Sequence, residues 1–156
     1  MALRNVVQVS NPEGETILRK TSKEVKNFDE NLWTLLDDMW DTMYENDGVG
    51  LAAVQVGVLK KVIVVDINEL HLELVNAVIT HYEGEQIGPE GCLSIKGIRG
   101  KVKRPSKVTV EAQDRYGNPY TITAVKELAV VFCHEIDHTN GVLFTDIMIE
   151  EEKEWK

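Results

Sequence analysis

At 156 residues the chain is long enough to bury a sizeable core, and 43% hydrophobic against 28% charged residues is a globular composition. Seventeen Lys and Arg against 26 Asp and Glu leave a formal net charge of -9, which argues against a protein that coats nucleic acid or an anionic membrane. No apolar run approaches the ~20 residues of a membrane span, and the amino terminus lacks the apolar core of a secretory signal. A cytoplasmic protein is expected, in which Cys92 and Cys133 are thiols or ligands rather than a disulfide.

With no internal repeat or linker, one domain over 1–156 is the economical reading. Residues 11–14, Asn-Pro-Glu-Gly, read as a loop, followed by a short apolar entry at 16–19. Phe28, Leu32, Leu35, Leu36, Met39, Trp40, Met43 and Tyr44 recur at spacings of three and four, which predicts an amphipathic helix capped by Asn27 or Asp29 and ended by Gly48. That stripe is core packing. Gly48 to Gly57 reads as a loop whose small residues let a ligand or another backbone come close. It is not a phosphate loop, because no Gly-Lys-Ser/Thr follows. Strands are predicted over 60–66, 72–80, 101–104, 107–113 and 120–123, the last two joined by a hairpin turn at 115–119. A final helix is expected after a Thr123 cap, with Leu128, Val131 and Phe132 toward the sheet and Gly141 as its stop. The charged tail 150–156 reads as a solvated end in which Trp155 alone could dock. The fold class expected is α+β: mostly antiparallel sheets packed around a C-terminal helix, with a long N-terminal amphipathic helix.

The final helix carries His134-Glu135-Ile136-Asp137-His138. Side chains four apart share a helix face, so His134 and His138 can offer two imidazole nitrogens to one metal ion. Glu135 lies about 100° round the helix and can reach a water polarised by that ion. The short pattern also arises by chance, so further residues must support it. Cys92, in the stretch 88–97 and reached through a Pro-Glu turn, is a candidate third ligand, its soft sulfur suiting zinc or ferrous iron. Two His and one Cys leave a coordination position open, as in a catalytic site. The plainer alternative for Cys92 is a small buried thiol. A zinc endopeptidase would need a ligand beyond His138, where no His follows and the carboxylates are Asp146 and the tail.

Three stretches together, Gly48-Val-Gly-Leu-Ala-Ala-Val-Gln55, Glu90-Gly-Cys-Leu-Ser94 and Cys133-His-Glu-Ile-Asp-His138, resemble the three motifs of the peptide deformylase family, in the family order. Asp38-Met39, Thr42-Met-Tyr44 and Asn140-Gly-Val-Leu-Phe144 extend the resemblance over roughly residues 5 to 148. It implies removal of the formyl group from N-formylmethionyl nascent peptides, releasing formate. It also implies one divalent metal on Cys92, His134 and His138, physiologically Fe(2+), with Zn, Ni or Co able to occupy the site. Glu135 would take the proton of the attacking water and return it to the departing amine. The Gln55 side chain and the Leu93 backbone N–H would meet the charge on the carbonyl oxygen. Gly50 and Arg99 correspond to positions that reach the peptide chain, and Val49, Val130, Val131 and His134 to the walls of the methionine pocket. Glu90, Arg104 and Asp137 match groups that fix loop and ligand orientation, with a purely structural ion-pair role equally open.

The chain departs from the family pattern at Cys133, usually Gln, at Thr139, usually Leu, and at Val54 and Lys96, where Pro is common. None of these removes a ligand, base or oxyanion donor, so activity is expected to survive. Cys133 raises the question of oxidation or pairing with Cys92. Glu127 is expected in solvent; on the pocket side it would favour basic residues after the methionine. The short stretch after the metal helix leaves little room for a ribosome-docking helix, so ribosome contact is expected to be transient at most. The alternative to an enzyme is a non-catalytic metal-binding member of the same fold, which the full set of ligands with Glu135 and Gln55 argues against.

Overall fold

The computed structural model describes residues 2–151. Helix α1 (Pro12–Leu18) begins where a loop was expected: the Asn11 side chain accepts a hydrogen bond from the Glu13 N–H, and Pro12 opens the first turn. Asn before Pro is a helix start as much as a turn signal, because proline's fixed φ suits a position that has no N–H bond to lose. Helix α2 (Glu30–Glu45) is capped by the Asp29 carboxylate on the Leu32 N–H. It buries Leu32, Leu35, Leu36, Met39 and Met43, whereas Tyr44, read as part of the same stripe, is 46% exposed. The helix stops at Glu45, and the Gly48 N–H returns to the Met43 carbonyl.

Residues 48–57 are more ordered than a loop. Strand β1 (Gly50–Ala52) pairs antiparallel with β2 (Val62–Ile67), and a 3-10 turn fills Ala53–Val56 between them. β1 is too short and glycine-rich to show a period of two, so pairing with β2 makes it a strand. A five-stranded antiparallel sheet runs in the order β1, β2, β3 (Leu70–Glu83), β6 (Lys107–Gln113), β7 (Pro119–Val125). Alternation along β2 divides the core. Val62 and Val64 join the cluster built on α2, while Ile63 and Val65 join the other cluster, which contains Phe132 and Ile136.

A three-stranded antiparallel sheet is formed by β4 (Gln86–Cys92), β5 (Ile95–Arg104) and β8 (Glu150–Glu151), in the order β4, β5, β8. Pro89 and Glu90 therefore sit in a strand rather than a turn. β4 is an edge strand, where a residue without an N–H is tolerated. Helix α3 (Lys126–Thr139) starts at Val125 with no side-chain cap. Thr123 lies inside β7, its hydroxyl 3.1 Å from that of Thr109, and does not cap the helix. Leu128 and Phe132 are buried as expected, whereas Val131 is only half-buried. A last short helix, α4 (Phe144–Ile147), follows Leu143, whose N–H donates to the Asp146 carboxylate. Among the described residues no helix is long and apolar enough to cross a membrane. Trp155 lies outside the described residues.

Candidate active site

Helix α3 presents His134, Glu135 and His138, all buried. The β4–β5 hairpin brings Cys92 across from them, and the turn after β1 brings Gln55. One ligand atom each from Cys92, His134 and His138 lies within 4.8 Å of the others. The Cys92 Sγ stands 3.4 Å from His138 Nε2. On one tetrahedral ion, a thiolate at ~2.3 Å and an imidazole at ~2.0 Å would be about 3.5 Å apart, so the donor set fits such an ion. Among the described residues, the buried side-chain polar atoms without a hydrogen-bond partner are Ser22 Oγ, Glu135 Oε1 and His138 Nδ1. Two of the three belong to this site, where an unpaired polar atom is otherwise costly.

An ionic chain stands behind the histidine. Glu90 accepts two hydrogen bonds from Arg104, at 2.8 and 2.9 Å, and lies 2.9 Å from His134 Nδ1. The Arg104 guanidinium also donates to Asp137, at 2.6 Å. With His134 Nδ1 engaged, Nε2 is the atom that ring can offer to an ion. Burial pushes Glu90 toward its neutral form, but Arg104 and His134 outweigh it and hold the carboxylate below its usual range. Burial, reinforced by His134 and Arg104, holds His138 well below the usual imidazole range, neutral and able to ligate. For His134 burial acts the same way, yet the bonds to Cys92 and Glu90 prevail and raise it.

Glu135 is buried, and burial pushes its carboxyl up to about 7 against the pull of His134. A Cβ on Gly50 would stand 2.7 Å from Glu135 Oε2, so the absence of a side chain there makes room for the carboxylate. The Gln55 side-chain oxygen Oε1 accepts from the Ala52 N–H at 3.0 Å. Its side-chain nitrogen Nε2 is thereby turned toward the β4–β5 hairpin, 3.1 Å from Ser94 Oγ and 3.5 Å from Cys92 Sγ. The sequence reading did not single out Ser94; its place beside Cys92 in the motif was the available signal.

These groups meet a cleft of about 550 Å³. Val49, Gly50, Gln55, Glu90, Cys92, Leu93, Arg99, Val130, Val131, His134 and Glu135 line it, while His138, Arg104 and Asp137 are not among its lining residues. Asp47, Ile95 and Ile98 also line it and were missed, since nothing in their local sequence separates them from other loop and strand residues. Lys96, noted only as a departure, lines it too. Glu127 is exposed and is not on the lining. Cys133 is a buried core thiol, unpaired, with burial raising it to about 11. It is thus protonated and poorly reactive at neutral pH.

The family profile described as polypeptide deformylase matches residues 3–154. The peptide deformylase of Acetivibrio thermocellus is 56% identical over 137 residues, covering 88% of this chain and 81% of the relative. That of Caldanaerobacter subterraneus is 52% identical, covering 96% and 91%. Among solved structures, the peptide deformylase of Legionella pneumophila superposes with a TM-score of 0.89 at 45% identity, covering 94% of this chain and 86% of that one. The peptide deformylase of Synechococcus elongatus, solved in complex with actinonin, gives 0.87 at 38% identity, covering 93% and 78%.

Proposed function

The chain belongs to the polypeptide deformylase family, and from that membership we propose how this site removes the formyl group from N-formylmethionyl nascent peptides, releasing formate. Cys92, His134 and His138 would hold one divalent ion, ferrous iron as the physiological choice and zinc, nickel or cobalt as substitutes. When bound, such an ion polarises a water and the formyl oxygen. The observation that carries this reading is the convergence of three ligand atoms within 4.8 Å beside Glu135, whose buried carboxylate has an oxygen with no partner.

Glu135 has two jobs: it takes a proton from the water that attacks the formyl carbon and delivers it to the departing amine. A carboxyl raised to about 7 can both accept and give up a proton near neutrality. As the carbonyl carbon becomes tetrahedral, negative charge collects on its oxygen. The Gln55 amide and the Leu93 backbone N–H meet it, the amide held in orientation by the Ala52 and Ser94 contacts. Gly50 and Arg99 guide the peptide chain, and Val49, Val130 and Val131 receive the methionine side chain by shape and dispersion. Glu90, Arg104 and Asp137 fix the His134 ring. Residues 1–156 act as one catalytic domain, in the cytoplasm where formylated chains are made, with transient ribosome contact.

The test is formate release from a formyl-Met-Ala peptide by protein loaded anaerobically with ferrous iron, beside the acetyl-Met-Ala analogue. Rapid release from the first and little reaction with the second is expected. A folded, metal-loaded protein that releases no formate would overturn the assignment in favour of a non-catalytic member.

A further inference from the structure

The wall that β5 gives to the catalytic cleft is irregular. β4 and β5 pair at Glu90 with Gly100 and again at Cys92 with Ile95, so residues 96–99 have only Gly91 across from them and bulge out of the ladder. Gly97, at φ 80°, makes the bend. Ile98 packs against the core, and the Arg99 stem lies over Gly91, where a Cβ would stand 3.5 Å from Arg99 Cγ. The bulge so anchored keeps Lys96 exposed and on the cleft lining.

Of the lysines of β5, Lys101 pairs with Glu150 at 3.8 Å and Lys103 with Glu85 at 3.9 Å, whereas Lys96 has no ion-pair partner among the described residues. The carboxylates on the lining leave it so. Glu90 is bonded to Arg104 and His134, Glu135 is buried beside the ligand atoms, and the exposed Asp47, in the turn after α2, is not paired with Lys96. The deformylase reading puts the formyl group at Cys92 and the Leu93 N–H, and the methionine side chain against Val130 and Val131. The rest of the peptide must then leave through the open side of the cleft, past the bulge that follows Leu93 on the same hairpin. An extended chain advances about 3.3 Å per residue, so the residues just after the methionine are the ones that pass Lys96. An unpaired ammonium there attracts a carboxylate and repels another cation. We infer that Lys96 is a specificity-determining residue that selects an acidic side chain at the second or third residue of the formylated peptide, an inference that rests on the deformylase reading of the cleft. The pair stays in contact with water, so the preference is modest, about two- to fivefold.

The experiment measures formate release from formyl-Met-Ala-Ala-Ser amide and from versions with Glu, Gln or Lys at the second or third residue, using ferrous-loaded parent, Lys96→Gln and Lys96→Glu. At one of the two positions the parent should turn over the Glu peptide about two- to fivefold faster than the Gln peptide in kcat/KM, and the Lys peptide more slowly than either. Lys96→Gln should bring the Glu-to-Gln ratio to one or below, and Lys96→Glu should invert it. Each ratio is taken within one variant, so differences in folding or metal content cancel. The effect should lie in KM rather than kcat, because the contact is away from the formyl group and is made alike in ground and transition states. It should shrink in 0.5 M salt. Dissociation constants of the same peptides for the slow Glu135→Gln variant should follow the same order. Equal Glu and Gln rates in the parent at both positions, or a ratio unchanged in Lys96→Glu, would overturn the role of Lys96 and leave the deformylase reading standing. No release from any peptide would overturn both.

Discussion

Glu135 is the residue on which proton traffic and folding stability meet. Its folded-state value of about 7 lies above the ordinary 4.5, so the folded, metal-free chain holds that proton more tightly than the unfolded one. The resulting stabilisation is fully present below about pH 4.5 and is lost as the pH rises through about 7. A shift of this size is worth about 3 kcal/mol at most. Glu135→Gln removes the titration, so urea unfolding of metal-free protein should show the variant gaining on the parent by up to about 3 kcal/mol between pH 4.5 and 8. A difference that does not change with pH would mean that Glu135 is solvated. Gly50→Ala acts on the same carboxylate from the facing strand, since the added Cβ would meet it at 2.7 Å. Formate release should fall at least tenfold with little change in Tm. For Gln55→Ala, loss of one oxyanion donor predicts a fall of about a hundred- to thousandfold in kcat. The helical spacing of His134 and His138 was legible because it is local. The approach of Gly50 to Glu135 was not, because it depends on how β1 meets α3.

Between elements, the chain Asp137, Arg104, Glu90, His134 ties α3 to both strands of the β4–β5 hairpin. Arg104→Met would leave two carboxylates without their cation, one of them deeply buried. Unfolding free energy should fall by about 3–5 kcal/mol, and metal affinity by about ten- to a hundredfold as the His134 ring loses its orientation. Denaturation and competition with a chelator measure the two separately. If stability drops while affinity holds, the ion pair is structural only, the alternative that the sequence left open. Strongly periodic stretches such as α2 and the 107–113 strand could be read from residue type alone. Elements that need a partner to exist could not: β1, and the β4–β5 hairpin apart from the 101–104 end of β5. Glycine and proline mark them, and without the tertiary pairing those residues read as turns.

For the molecule as a whole, two antiparallel sheets and α3 converge on one cleft, and an ion on Cys92, His134 and His138 should tie the three-stranded sheet to α3. An ion present at a thousandfold its Kd adds about 4 kcal/mol to the folded state. Chelation should therefore lower Tm by several degrees, with Cys92→Ser abolishing most of the difference. The three motifs that carried the resemblance lie on different elements of the fold, which explains how the site could be assembled on paper without the fold. What the motifs could not supply is the pairing of β1 with β2 and of β4 with β5 that carries them to the cleft. The measurement that bears most directly on the central claim is made on Glu135→Gln loaded with ferrous iron, scoring bound metal and formate release from formyl-Met-Ala together. The account predicts one equivalent of metal, as in the parent, and a rate about a hundred- to ten-thousandfold lower. Retained turnover at full metal occupancy would contradict it, since the proton would then be moving without the carboxylate assigned to carry it.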